Sequence, residues 1–193
     1  MGLVCNIGVS EKGKYSTWEN GKHTKEYVKW REMVRRCYSE VYLAKKPTYR
    51  LCSIDEKFLN FQYFAEWCNN QVGFEEGWQL DKDLLVKGNK VYSEDTCVFL
   101  PAELNTLLLK SGSIRGSYPI GVVVQTKHNY ILASCKQNNK RIYLGKFGTV
   151  YEAFLAYKKF KEEYIKIMAN KYKETLNQRA YETLMSYEVS IDD

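Results

Sequence analysis

Between Lys25 and Tyr38 the residues Tyr27, Trp30, Met33, Val34 and Cys37 recur at helical spacing, while Lys25, Lys29, Arg31, Arg35 and Arg36 fill the other positions. Apolar residues at intervals of three and four mark one face of a helix. The stretch therefore predicts an amphipathic helix that docks on a core and turns its cations outward. Residues 1–24 are polar and rich in Gly, Ser and Lys, which predicts an irregular arm. Lys45-Lys46-Pro47 marks a loop, and residues 49–54 predict a short strand. Asp55 suits an N-cap for a helix through Phe58, Phe61, Ala65 and Cys68, whose aromatics, with Tyr63, Phe64 and Trp67, belong in a core. Gly73 and Gly77 end that pattern.

A hairpin is expected over residues 79–99, turning at Gly88-Asn89, then a helix opened by Pro101 and running through Leu104, Leu107 and Leu108. Ser111-Gly112-Ser113 reads as a domain boundary. Three β-prone runs follow at 121–126, 130–136 and 141–144, with polar turns between them. Thr149-Val150-Tyr151-Glu152 is a capping-box signature. It opens a helix with Ala153, Ala156, Tyr157, Phe160, Tyr164 and Ile167 on one side, and Lys158, Lys159, Lys161 and Lys166 largely elsewhere. The tail from Glu174 is expected to be helical and to fray at residues 190–193. The layout is α+β: an N-terminal helical region with a β-β-α hairpin, then a three-stranded antiparallel sheet packed on one long helix. Its divisions fall at 1–24, 25–112, 113–173 and 174–193.

Charge changes the picture more than composition does. The net charge of +6 is distributed in blocks. Residues 12–50 carry eleven Lys/Arg against four Glu, and residues 51–103 four against ten acids. Residues 104–173 carry thirteen against three, and residues 174–193 one against five. Basic surfaces bind phosphate backbones by releasing counterions. An acidic centre between them suits a divalent cation held against a phosphodiester. No apolar run approaches the ~20 residues of a membrane span. The N-terminus lacks the charged and apolar regions of a signal peptide. The six cysteines form no C-x-x-C pair, so buried thiols in a reducing cytoplasm are expected rather than a zinc site.

The candidate chemistry lies in Leu80-Asp81-Lys82-Asp83. Asp81 and Asp83 alternate with Lys82, so on a regular strand the two carboxylates share one face and Lys82 takes the other. Together with Lys87-Gly88-Asn89-Lys90 and Tyr92-Ser93-Glu94-Asp95-Thr96-Cys97-Val98-Phe99, this run resembles phage-encoded HNH-type endonucleases, including homing endonucleases. Upstream, residues 27–38 and 61–67 resemble segments that precede that motif. The resemblance spans roughly residues 25–108. It implies metal-dependent hydrolysis of double-stranded DNA, with Asp81 and Asp83 holding a divalent ion such as Mg²⁺ and Asn105 supporting it. The family's general-base histidine falls on Lys82, and Thr96 stands where Asn is common. His23 and His128 are remote in sequence. Two neighbouring carboxylates raise a lysine's pKa, so Lys82 fits a phosphate clamp or charge stabiliser better than a base.

Residues 115–169 resemble a second family, the Apetala/ethylene-response-factor type DNA-binding domain. The resemblance rests on Arg115-Gly116, Pro119-Ile120-Gly121-Val122, Tyr130-Ile131-Leu132-Ala133, Tyr143-Leu144-Gly145-Lys146-Phe147, Thr149, Glu152-Ala153 and Ala156-Tyr157. It implies a sheet that enters the major groove. A sheet covered on one face leaves the other for ligand. The candidate contacts are Arg115, Lys127, Tyr130, Lys136, Lys140, Arg141 and Lys146, with Lys29, Arg31, Arg35 and Arg36 from the first helix.

The expectation is a cytoplasmic DNA endonuclease of homing type, in the host cytoplasm if phage-encoded. One copy of each module is compatible with a monomer. Two alternatives stand beside it: a DNA-binding protein of the same fold without catalysis, and a protein-interaction factor such as an inhibitor of host defence.

Overall fold

The computed structural model describes residues 2–109, 117–126, 129–137 and 140–193. Arg115, Lys127, His128 and the connection at 111–113 lie outside the described residues. The architecture is α+β, and the chain divides into two units, Met1–Ala102 with Thr175–Ala180, and Glu103–Glu174 with Tyr181–Asp193.

The first unit begins with two short hairpins where an irregular arm was expected. Strands β1 (Gly2–Val4) and β2 (Gly8–Ser10) pair antiparallel, as do β3 (Trp18–Glu19) and β4 (Lys22–His23). Local backbone chemistry makes both turns. Cys5 and Asn6 take positive φ in the first, and Asn20 and Gly21 in the second, conformations that Asn and Gly adopt readily.

Helix α1 (Lys25–Tyr38) is capped by the Thr24 side chain and buries Trp30, Met33, Val34 and Cys37. Helix α2 (Glu40–Lys45) and a 3-10 turn (Pro47–Tyr49) follow. The single helix expected after Asp55 is two. Asp55 caps α3 (Glu56–Leu59), and Asn60 then caps α4 (Phe61–Asn69), its side chain accepting from the Gln62 and Tyr63 amides. The Asn60 cap replaces a helical turn, and the bend lets Phe58, Phe61, Phe64 and Trp67 all enter the core. Trp30 donates its indole N–H to the Phe58 carbonyl at 2.9 Å, tying α1 to this corner.

The expected hairpin pairs differently. Strand β6 (Gln79–Asp81) runs antiparallel to β8 (Val98–Leu100), with Asp81 opposite Val98. The stretch after Gly88-Asn89, β7 (Val91–Tyr92), instead pairs parallel with β5 (Ser53–Ile54). The cause is Asn89, whose side-chain amide donates to the Lys82 and Val91 carbonyls, both at 2.7 Å, folding residues 82–90 into a loop. Helix α5 (Ala102–Leu107) follows β8 directly.

In the second unit β9 (Val122–Gln125), β10 (Tyr130–Gln137) and β11 (Lys140–Phe147) form an antiparallel sheet in the order β11-β10-β9. The last strand runs longer than expected because a bulge at Ala133/Ser134 absorbs one extra residue of β11, and Gly145 there takes a φ of 137°. Helix α6 (Val150–Lys171) starts with the capping box at Thr149 and Glu152. Ala153, Phe154 and Tyr157 cover Val122, Ala133 and Cys135 from one side of the sheet.

Two positions on α6 depart from expectation. Ile167 is 61% exposed, while Lys161 is buried. The buried residues of α6, Ala153, Phe154, Tyr157, Tyr164, Ile165 and Met168, keep to one face that is rotated from the expected one, so Lys161 falls within it and Ile167 outside. Helix α7 (Gln178–Met185) ends the regular structure. The tail beyond it is held at Val189 and carries no helix or strand over residues 190–193. Val189 is buried, its N–H donates to Glu162 at 2.8 Å and its carbonyl accepts from Lys158 at 3.0 Å. No helix among the described residues is long and apolar enough to cross a membrane.

Candidate nucleic-acid interface

Cross-strand register decides which way the sheet's side chains point. Ile131 opposes Phe147 and Val124, Ala133 opposes Gly145 and Val122, and Cys135 opposes Ile142. Most of these side chains pack with α6. The intervening pairs then project from the opposite face: Leu132 with Lys146 and Val123, Ser134 with Tyr143, and Lys136 with Arg141. Of the expected contacts, Tyr130, Lys136, Arg141 and Lys146 share this open face. Lys140 is exposed at the hairpin end, in register with Gln137. Lys146 places its ammonium 4.4 Å from the centre of the Tyr130 ring, a cation–π contact across strands.

Lys136 and Arg141 stand directly opposite each other, and no carboxylate pairs with either among the described residues. Like charges at this spacing repel. An anion laid across both relieves that repulsion. The open face also holds a residue to which net charge gives no clue: Tyr143 is 58% exposed, with Leu132 and Val123 on the same face. A charge count is blind to an exposed aromatic, and Tyr143 projects on this side because it stands two residues from Arg141, before the bulge.

The cations of α1 are less available than the helical pattern implies. Lys29 donates to the Trp78 carbonyl at 2.8 Å, and burial pushes its pKa down. Arg31 lies over the Tyr27 ring at 5.6 Å, with its Nε buried and unbonded. Arg36 is half-buried and lies 3.9 Å from Glu32. Arg35 alone of the four is exposed. The long aliphatic stems cover the helix flank, which draws the charged ends inward.

At the acidic loop, Asp81 closes β6. Its Oδ1 accepts the backbone N–H groups of Asp83 and Leu84, both at 2.8 Å, as an Asx turn. Burial pushes the Asp81 carboxyl above the usual range, while these amide bonds oppose the shift. Lys82 is 4% exposed, and its ammonium donates to Asp83 Oδ1 at 2.6 Å and the Asn89 carbonyl at 3.3 Å. Burial acts to lower the Lys82 pKa, but the bond and charge of Asp83 outweigh it and the pKa rises. Lys82 is therefore a fixed cation at neutral pH rather than a base.

These contacts bear on the expected Mg²⁺ site. One carboxylate is engaged with two amides, and the other carries a buried ammonium. A divalent ion at this pair would have to displace the Lys82 ammonium that compensates Asp83 here. Among the described residues no three His, Cys, Asp or Glu side chains converge on a point. Asn105, on α5, belongs to the second unit. His23 is occupied elsewhere, its Nδ1 bonded to the Thr17 carbonyl at 3.1 Å and its ring against Trp18 and Tyr27.

No protein-family model, curated protein or solved structure matches the chain.

Proposed function

We propose that this protein binds double-stranded DNA through the open face of the β9–β11 sheet. The observation that carries the reading is the opposition of Lys136 and Arg141 on a face that α6 leaves uncovered. Such a pair costs stability in the isolated protein and gains a purpose against phosphate. A twisted sheet of this width fits a major groove. Lys136 and Lys140 touch phosphates, Arg141 has the fork geometry to pair with a guanine edge, and Tyr143 supplies apolar contact. The first unit binds the same nucleic acid without hydrolysing it at the Asp81–Asp83 pair.

A second reading is a metal-dependent endonuclease of HNH-like type. The succession of β6, a loop, the antiparallel β8 and α5, with an acidic residue closing the first strand, favours it. Supercoiled plasmid incubated with Mg²⁺, Mn²⁺ or EDTA separates the two readings. Salt-sensitive binding without nicking supports the first. Metal-dependent nicking abolished by Asp81→Ala establishes the second. Absence of binding to any duplex at low salt sinks both and leaves a protein partner.

A further inference from the structure

The side of α6 turned away from the sheet carries a row of exposed residues. Tyr151, Leu155, Lys159, Glu163 and Ile167 follow one another at intervals of four. Tyr151 is 59% exposed, Leu155 43% and Ile167 61%, so three large apolar side chains stand in solvent on one row. Residues four apart on a helix line up as a ridge inclined to its axis.

A second row, Lys158, Glu162 and Lys166, runs beside the first, and a groove of about 310 Å³ lies along the two. The rows differ in how their charges are satisfied. In the second, Lys158 bonds Glu162 at 2.5 Å, and both are tied to the Val189 backbone. Lys159 and Glu163 have the same spacing on the first row, yet among the described residues neither has an ion-pair partner.

The order of residues along the ridge is its own complement. Reversed end for end about the level of Lys161, Leu155 falls opposite Ile167 and Lys159 opposite Glu163. Each of these apolar residues then meets an apolar one, and each charge meets its opposite. A twofold axis applies that reversal to two copies of a chain, because such a contact brings residue i to j and j to i. Helices that pack through four-residue rows lay the ridge of one in the groove of the other. The groove between the two rows is the place for the other copy's ridge. The span from Leu155 to Ile167 is roughly 18 Å along the axis, long enough for one helix crossing.

We infer that the exposed ridge of α6 is a self-association surface on which a second copy of this chain docks antiparallel, Leu155 of each against Ile167 of the other and Lys159 against Glu163. One helix crossing buries less than the roughly 1,200 Å² of a stable interface, so the pair forms with a Kd on the order of 100 μM. The open face of the sheet lies away from α6 and stays uncovered, so the inference stands or falls independently of DNA binding.

Sedimentation velocity of the full chain, free of nucleic acid, from about 10 μM to about 1 mM tests it. The wild type passes from monomer to dimer across that range. Lys159→Glu sets like charges against each other on both sides of the axis, as does Glu163→Lys, and each variant alone stays monomeric. Mixed in equal amounts the two variants associate, since every charge of one meets its opposite on the other. Ile167→Ser, whose loss counts twice in a symmetric pair, weakens dimerisation about tenfold or more.

Circular dichroism melts identify any variant that is unfolded, and Ile167→Ser carries the test if a charge-reversed variant is one. A wild type that stays monomeric over the whole range overturns the inference. So does dimerisation of Ile167→Ser or of either charge-reversed variant at wild-type strength, or a mixture of the two folded charge variants that fails to associate.

Discussion

Lys136 of β10 and Arg141 of β11 face each other in register on the side of the sheet that α6 leaves open. Directly opposed like charges cost a few tenths of a kcal/mol, and removing one relieves the cost. Arg141→Ala is therefore expected to raise the stability of the folded protein slightly, or leave it unchanged, while weakening DNA binding. Chemical denaturation and duplex binding measured on the same preparation check this. A variant both less stable and unimpaired in binding would assign Arg141 a structural role instead.

Asp83 and Lys82 are unequal partners, one largely exposed and the other buried. Asp83→Ala leaves a buried ammonium with only the Asn89 carbonyl, and is expected to destabilise the first unit by about 1–3 kcal/mol. Lys82→Met keeps the apolar stem, removes the buried charge, and is expected to cost under about 1 kcal/mol. Urea unfolding of both variants reads the asymmetry. Equal costs would mean that the ion pair is worth more than the burial it compensates.

Asp81 predicts a pH effect of definite sign. Burial raises its pKa in the folded state. A raised carboxyl contributes stability that is full below the unfolded pKa and lost as pH rises through the folded one. Asp81→Asn retains an oxygen for the Asp83 and Leu84 amides and carries no charge. Its stability relative to wild type should climb as pH passes upward from about 4 toward 7. Thermal melts across that range measure it, and a flat difference would mean that Asp81 is ionised without penalty.

Gly121 takes a φ of +82°, and a Cβ there would lie 2.0 Å from Tyr157. Gly121→Ala combines left-handed strain with a clash against the main aromatic joining α6 to the sheet, and is expected to cost about 2–4 kcal/mol. A melting curve indistinguishable from wild type would show that Tyr157 moves aside freely.

The elements whose apolar period is long were legible in the sequence. The buried residues of α1, the capping box of α6 and the three runs of the second sheet all follow from spacing. Features set by single side chains were not. Asn60 splits a helix, and Asn89 turns an expected strand pairing into a loop, in each case because a side-chain amide competes with the regular backbone pattern. Lys29 and Lys161 read as outward cations, yet both are substantially buried, since a long stem can run inward from a polar-looking position. The open face of the sheet was foreseeable in its cations. Tyr143 was not, because its side follows from Arg141 only once the hairpin register is known, and a one-residue slip turns it to the core.

The central claim is that duplex DNA is held by the open face of the β9–β11 sheet. It is tested most directly by the salt dependence of duplex binding, measured by fluorescence anisotropy for the wild type and for Lys136→Ala/Arg141→Ala. Removing one cation from a phosphate makes the slope of log affinity against log salt shallower by about 0.9. The double variant is predicted to bind at least tenfold more weakly near 0.1 M salt, with a slope shallower by about 1–2. A double variant that folds and binds with wild-type affinity and slope would contradict it.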